Sequence, residues 1–326
     1  MARSVPQLLS VAAIVIGSAL FLYTLASLDL EDTADRARRL GLALPAILLP
    51  GACWQLLRTW GWFVAFPERT RPSFGRLFRV RLAADAVGYF TVRGLAGEPL
   101  KVLLLYDRVP PPVVAAAIAV ERLAFAVVAT LIAGIISIAA LTRLALPAAW
   151  NSVFIATAVM AVGVLLLIAA AARRRSGDYL GPAIAFFDRL TGRRLGTTRA
   201  ARFILEVEEV MLQLLRGDRR RLTILTLLPV VCYALMAVEV WLVFWASGET
   251  VGVTQVLAVE TFARLASIAS AAIPANLGAL EASNAGVAAA VGLGGGGALA
   301  LVRRVRSLLW AGLGLALYPA VPRRRR

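Results

Sequence analysis

The 326-residue chain has no histidine, only two cysteines and a single lysine, Lys101. Without histidine there is no imidazole to serve as base, nucleophile or metal ligand near neutral pH. Cys53 and Cys232 stand far apart, each inside an apolar run, so they form neither a zinc set nor a redox CxxC pair. The lone lysine follows Gly97-Glu98-Pro99-Leu100 and is not part of a Gly-Lys-Ser/Thr sequence, which excludes a Walker A phosphate loop and ATP hydrolysis by that route. Neither a metal ion nor a cofactor is expected. Also missing is any hydrophilic stretch long enough for a separate soluble domain, so residues 1–326 read as one membrane-embedded unit.

Apolar residues dominate: 60% of the chain is hydrophobic, and the mean hydropathy is +0.78. Several runs exceed the length that spans a bilayer, as in an integral membrane protein. The net charge of +16 is almost wholly arginine. These arginines cluster beside apolar runs, where they set topology and meet anionic lipid head groups, and nucleic acid is not an expected partner.

Six full spans are predicted: 8–28, 40–64, 113–141, 147–172, 222–246 and 298–320. Pro45 and Pro50 are expected to kink the second, and Trp54, Trp60 and Trp62 to mark its interfacial end. Asp29, Glu31 and Asp32 fall in the loop before it. Glu68 to Arg81 reads as a short loop carrying five arginines. Residues 173–221 form a basic cytoplasmic segment with twelve arginines against six acids. Within it, Phe203, Val207, Val210, Met211 and Leu214 share one face of a helix over 199–216. That helix lies on the membrane surface or packs under the bundle.

Between these spans a motif occurs twice. Arg81 to Glu98 and Arg264 to Glu281 both open Arg-Leu-Ala, reach a glycine-bearing break and arrive at glutamate; six of eighteen aligned positions are identical. A breaker follows each copy (Pro110 to Pro112, and Gly292 to Gly297), then an apolar helix with a charged pair near its start, Glu121-Arg122 and Arg303-Arg304. The apolar pieces of the first copy are too short to cross about 30 Å of hydrocarbon at about 1.5 Å per residue. They read as a re-entrant hairpin, entering and leaving by one face. Val251 to Ile273 is long enough to span, but only a hairpin there returns the C-terminal Arg323 to Arg326 tail to the side of the other basic loops. The expected fold is therefore an all-α polytopic bundle of about six spans and two re-entrant hairpins. Its repeats, about 40–141 and 223–320, are inverted, and both termini are cytoplasmic.

Charges inside apolar segments are costly, about 2.5–3.5 kcal/mol each on insertion scales, and usually face one another or a watery cavity. The first repeat offers Arg81, Asp85, Arg93, Glu98, Lys101, Glu121 and Arg122; the second offers Glu260, Arg264, Glu281, Arg303, Arg304 and Arg306. From these the expected substrate-binding set is Arg81, Glu98, Lys101, Glu121, Arg122, Arg264, Glu281 and Arg304. Guanidinium forks suit a phosphate. The glutamates neutralise the arginines when the site is empty, or bind an ammonium group. A purely structural reading, with Glu98 tied to Arg122 and Glu281 to Arg264 or Arg304, stands beside it. Gly94, Gly97, Pro274 and Gly278 are expected to serve hairpin geometry.

The segments GLAGEPLKVLL, VERLAFAVV and IPANLGALEASNAGV together resemble the lysylphosphatidylglycerol synthase transmembrane, flippase-like family. Glu98, Glu121, Arg122, Pro274, Leu277, Gly278 and Glu281 match its motifs. Lys101 stands where that family usually has arginine, and Thr91-Val92-Arg93 where it has proline before the glycine. The resemblance runs from the first span to the last. It implies translocation of an amphipathic lipid between leaflets of the plasma membrane, an aminoacylated phospholipid in the best-known members. This sequence has no segment resembling the soluble synthase domain, and members without that domain have varied substrates. The expected function is a lipid flippase or transporter rather than an enzyme, with a phospholipid or polyprenyl-phosphate-linked lipid as substrate. The alternatives are a membrane-embedded glycosyltransferase using a polyprenyl-phosphate donor, with the acids near Asp29 at its site, and a non-catalytic partner of a lipid-modifying enzyme.

Overall fold

The computed structural model describes residues 30–91, 97–173, 180–191, 198–270 and 273–318. The expected span 8–28, Asp29, Arg93, Gly94 and the 323–326 tail lie outside these residues. Among the described residues, eleven α-helices follow one another: α1 (Leu30–Val64), α2 (Phe74–Phe90), α3 (Gly97–Leu105), α4 (Pro111–Arg143), α5 (Ala148–Arg173), α6 (Leu180–Thr191), α7 (Arg199–Gly217), α8 (Arg219–Ala246), α9 (Val253–Ala269), α10 (Ala279–Ala290) and α11 (Gly296–Ala316). The molecule is an all-α, membrane-associated bundle. Three helices, α4, α5 as far as Ala170, and α8, are long and apolar enough to cross a bilayer.

Local sequence explains the helix limits. Pro110 and Pro111 open α4, where a missing N–H removes no helical bond. Asp218 caps α8 by accepting hydrogen bonds from the N–H groups of Arg220 and Arg221 at 2.9 and 3.3 Å. Between α9 and α10 the chain breaks at a 3-10 turn, Pro274–Asn276. There Ala275, Asn276 and Gly278 take φ of 56°, 49° and 73°. For the alanine this left-handed backbone costs about 1–2 kcal/mol.

Two apolar clusters hold the bundle. One gathers Ile47, Val240, Phe244, Val259, Val287 and Leu299. The other gathers Phe66, Leu77, Leu104, Leu105, Val114 and Val120. Helix pairs recur in a matched way. α1 packs on α2, α2 on α3, α3 on α4 and α1 on α4, while α8 packs on α9, α9 on α10, α10 on α11 and α8 on α11. Between the two sets, α2 meets α11 as α4 meets α9, and α1 meets α11 as α4 meets α8. Helices α1 and α8 face one another directly. The two sets approach closely where α11 crosses α2, since a Cβ on Gly314 would stand 2.2 Å from the carbonyl oxygen of Leu82.

Several expectations need correction. Helix α1 already includes residues 30–39, ahead of the predicted span, so Glu31 and Asp32 lie in a helix rather than in a loop. Arg76, Arg79 and Arg81 belong to α2 and not to a loop; arginine is a good helix former, and the buried charge of Arg81 is balanced by Asp85 one turn on. Trp60 is exposed, but Trp62 is buried and Trp54 lies under Arg58 and Arg81, so only one of the three tryptophans has the outward position expected. Helix α6 was not anticipated. Helix α7 forms as expected, and of the two readings it takes the second. Val207, Val210, Met211 and Leu214 pack into the bundle against α4 and its neighbours, leaving Phe203 outside.

Candidate functional site

The charges expected inside the membrane gather into two sets of ion pairs. In the first, Arg58 of α1 reaches Glu121 of α4 at 2.9 Å. Asp85 of α2 holds Arg81, one turn back, at 3.3 Å and Lys101 of α3 at 3.4 Å. Lys101 also stands 3.2 Å from Glu98, which pairs in turn with Arg122 of α4. Gly97 makes the α2–α3 contact possible, because a Cβ there would lie 2.7 Å from the carbonyl oxygen of Ala84.

The second set repeats this plan. Glu239 of α8 pairs with Arg306 and, at 3.8 Å, with Arg303 of α11. Glu260 of α9 holds Arg264 at 2.7 Å and also pairs with Arg303, whose Nη1 donates to Asn284 Oδ1 at 2.8 Å. Glu281 of α10 accepts from Arg304 Nε at 2.8 Å. Glu98–Arg122 and Glu281–Arg304 are thus the same contact made twice, from the helix after the break to the long helix beyond. Arg58–Glu121 and Glu239–Arg303 also correspond, with the signs exchanged.

Two features join the sets. Arg304 Nη1 donates to the Tyr89 hydroxyl at 2.9 Å and to the Ala275 carbonyl at 2.8 Å, so one guanidinium touches the end of α2 and the break before α10. The second is a ladder of cations and rings. Trp54 lies between Arg81 (5.5 Å) and Arg58 (5.8 Å), and Phe125 between Arg58 (3.9 Å) and Arg264 (5.8 Å), while Tyr233 lies under Arg264 at 4.6 Å. Each such contact contributes about 0.5–2 kcal/mol and separates like charges with a polarisable face.

Accessibility divides the eight residues of the expected binding set. Arg122 is half exposed, at 50% of its side chain, and Glu98 and Arg264 are open at 25% and 21%. Arg304 and Glu281 are less open. Arg81, Lys101 and Glu121 are buried beneath this layer. Pro274 opens the 3-10 turn of the second break, and Gly278 supplies its positive φ. Arg58, Glu239, Tyr89, Asn284 and Phe125 complete the arrangement and were not foreseen from sequence. For Arg58 and Glu239 there was a signal, a lone charge inside a long apolar helix.

Apolar helices around a network of paired charges define a multi-pass membrane protein with a polar interior site. The family model described as the lysylphosphatidylglycerol synthase TM region matches residues 10–316, and the chain belongs to that family. No curated protein and no solved structure matches it.

Proposed function

We propose that the chain is a lipid flippase or transporter that moves a phosphate-bearing amphipathic lipid between leaflets through the charged site. Family membership supports this lipid-transport role. The observation that carries it is the repeated glutamate–arginine contact, Glu98–Arg122 and Glu281–Arg304, linked through Arg304 and Tyr89. Paired broken helices with charges at their junction are the arrangement secondary transporters use around a substrate.

In this reading α2–α3 and α9–α10 are re-entrant hairpins of an inverted repeat, 40–141 and 223–320, within six spans of the plasma membrane. The ends of the bundle support it. Arg76 and Asp107, 3.0 Å apart, bring the mouth of the first hairpin to the start of α4. Residues 144–147, past the far end of α4, line one cavity with residues 289–292 at the mouth of the second hairpin. The basic segments 65–73 and 174–221 and both termini are cytoplasmic. Arg122, Arg264 and Arg304 hold the phosphate, and rocking of one repeat against the other alternates access.

Reconstitution into vesicles with a fluorescent phospholipid tests this. Wild-type protein is expected to move the lipid between leaflets, and the Glu98→Ala, Arg122→Ala double variant to move it at the protein-free rate. Undiminished movement by the double variant would remove the site.

A further inference from the structure

The distribution of charge narrows the cargo, and this step deepens the flippase reading and rests on it. Among the described residues each set of ion pairs holds four basic and three acidic side chains. Each set of these described side chains therefore carries one positive charge more than its carboxylates balance, and the two sets together carry two. In the first half Asp85 and Glu98 are shared among Arg81, Lys101 and Arg122. In the second, Glu239 and Glu260 are shared among Arg264, Arg303 and Arg306.

The deficit reaches Arg122, the most accessible cation of either set. Arg122 has half its side chain accessible and a single carboxylate partner that is already shared with Lys101. Arg264 has a buried Nη2 with no hydrogen-bond partner, and its guanidinium lies over Phe125, one helical turn after Arg122. A phosphate between these two forks gains charge-assisted hydrogen bonds from donors that are short of acceptors. An ammonium group fares differently. The second oxygens of Glu98 and Glu281 are buried and accept no hydrogen bond, yet both carboxylates already balance guanidinium or ammonium groups, so a further cation there would meet an existing excess of like charge in a poorly screened interior.

We infer that the site between Arg122 and Arg264 takes a lipid phosphate head group with net negative charge and no amine, and discriminates against zwitterionic and amine-bearing phospholipids. Native mass spectrometry of the purified full chain, offered equimolar phosphatidic acid, phosphatidylethanolamine and lysylphosphatidylglycerol, reads the preference directly. Wild-type protein is expected to retain phosphatidic acid at least tenfold over the other two. The Arg122→Gln, Arg264→Gln double variant is expected to lose that preference although its surface arginines remain, and the Arg122→Lys, Arg264→Lys variant, which keeps the charges, to retain most of it. Equal retention of the three lipids, preference for an amine-bearing lipid, or preference unchanged in the glutamine variant would overturn the inference. So would displacement of phosphatidic acid by millimolar inorganic phosphate, which would make free phosphate the ligand. A vesicle transport assay on the same preparations separates the two readings. Anionic preference in binding without movement of any lipid would overturn the flippase reading alone, whereas movement without that preference would overturn this inference alone.

Discussion

Arg303 and Arg122 are both arginines beside acidic partners, yet they stand in different physical situations. Arg303 is buried and joins Glu239, Glu260 and Asn284 on three helices. Removing it leaves two carboxylates short of their shared cation inside the bundle, and breaking such a buried set costs about 3–5 kcal/mol. Arg122 is half exposed, where an ion pair is worth about 0–1 kcal/mol. Arg303→Met is therefore expected to lower thermal stability in detergent sharply. Arg122→Met is expected to leave the melting temperature nearly unchanged while abolishing lipid movement. Equal losses of stability would mean that the two residues play the same structural part. Ala275 offers a test of opposite sign. Glycine adopts its φ of 56° without the alanine's strain, so Ala275→Gly is expected to stabilise the fold by up to about 1 kcal/mol, read as a raised melting temperature.

At the scale of helices, close approach depends on absent side chains. On α11 the two glycines Gly312 and Gly314 look alike in sequence. A Cβ on Gly312 would meet nothing within 4 Å, whereas one on Gly314 would press into the backbone of α2. Gly312→Ala is expected to be neutral, and Gly314→Ala to cost about 1–3 kcal/mol or to separate α11 from α2, as overpacking does. Thermal melting of the pair checks this.

The same scale shows what was legible in advance. The ion pairs around the first break were readable because Arg81/Asp85, Glu98/Lys101 and Glu121-Arg122 sit at short helical spacings beside glycine and proline. The pairing of Arg58 was not, since its partner Glu121 lies 63 residues away and periodicity carries no information at that range. Tyr89 was less accessible still: its partner is 215 residues distant, and a tyrosine beside a break has many ordinary uses. Trp54 and Trp62 misled because tryptophan suits a membrane interface and a cation's neighbourhood equally well. The polar stretch 30–39 of α1 was missed because hydropathy marks where a helix is apolar, not how far it extends.

For the whole molecule, the matched packing of α1–α4 and α8–α11 requires that the hairpins open toward opposite sides if the repeat is inverted. Cysteine labelling decides this in cells, on a background in which Cys53 and Cys232 are replaced by serine. A cysteine at Gly248 or Gly294 is expected to react with a membrane-impermeant maleimide added outside. One at Asp107 or Arg71 is expected to react only after permeabilisation. Labelling of Asp107→Cys and Gly294→Cys from the same side would rule out the inverted arrangement. The excess of arginine in 65–73 and 174–221 sets the expected direction.

Arg304 acts as a clasp between the halves. To let α2 part from the second break, its guanidinium must give up the Tyr89 hydroxyl and the Ala275 carbonyl together, two acceptors that need replacing where the side chain is largely buried. An incoming phosphate carries oxygens that can take over both roles. On the transport reading, arrival of the cargo and unfastening of the clasp become one exchange of acceptors.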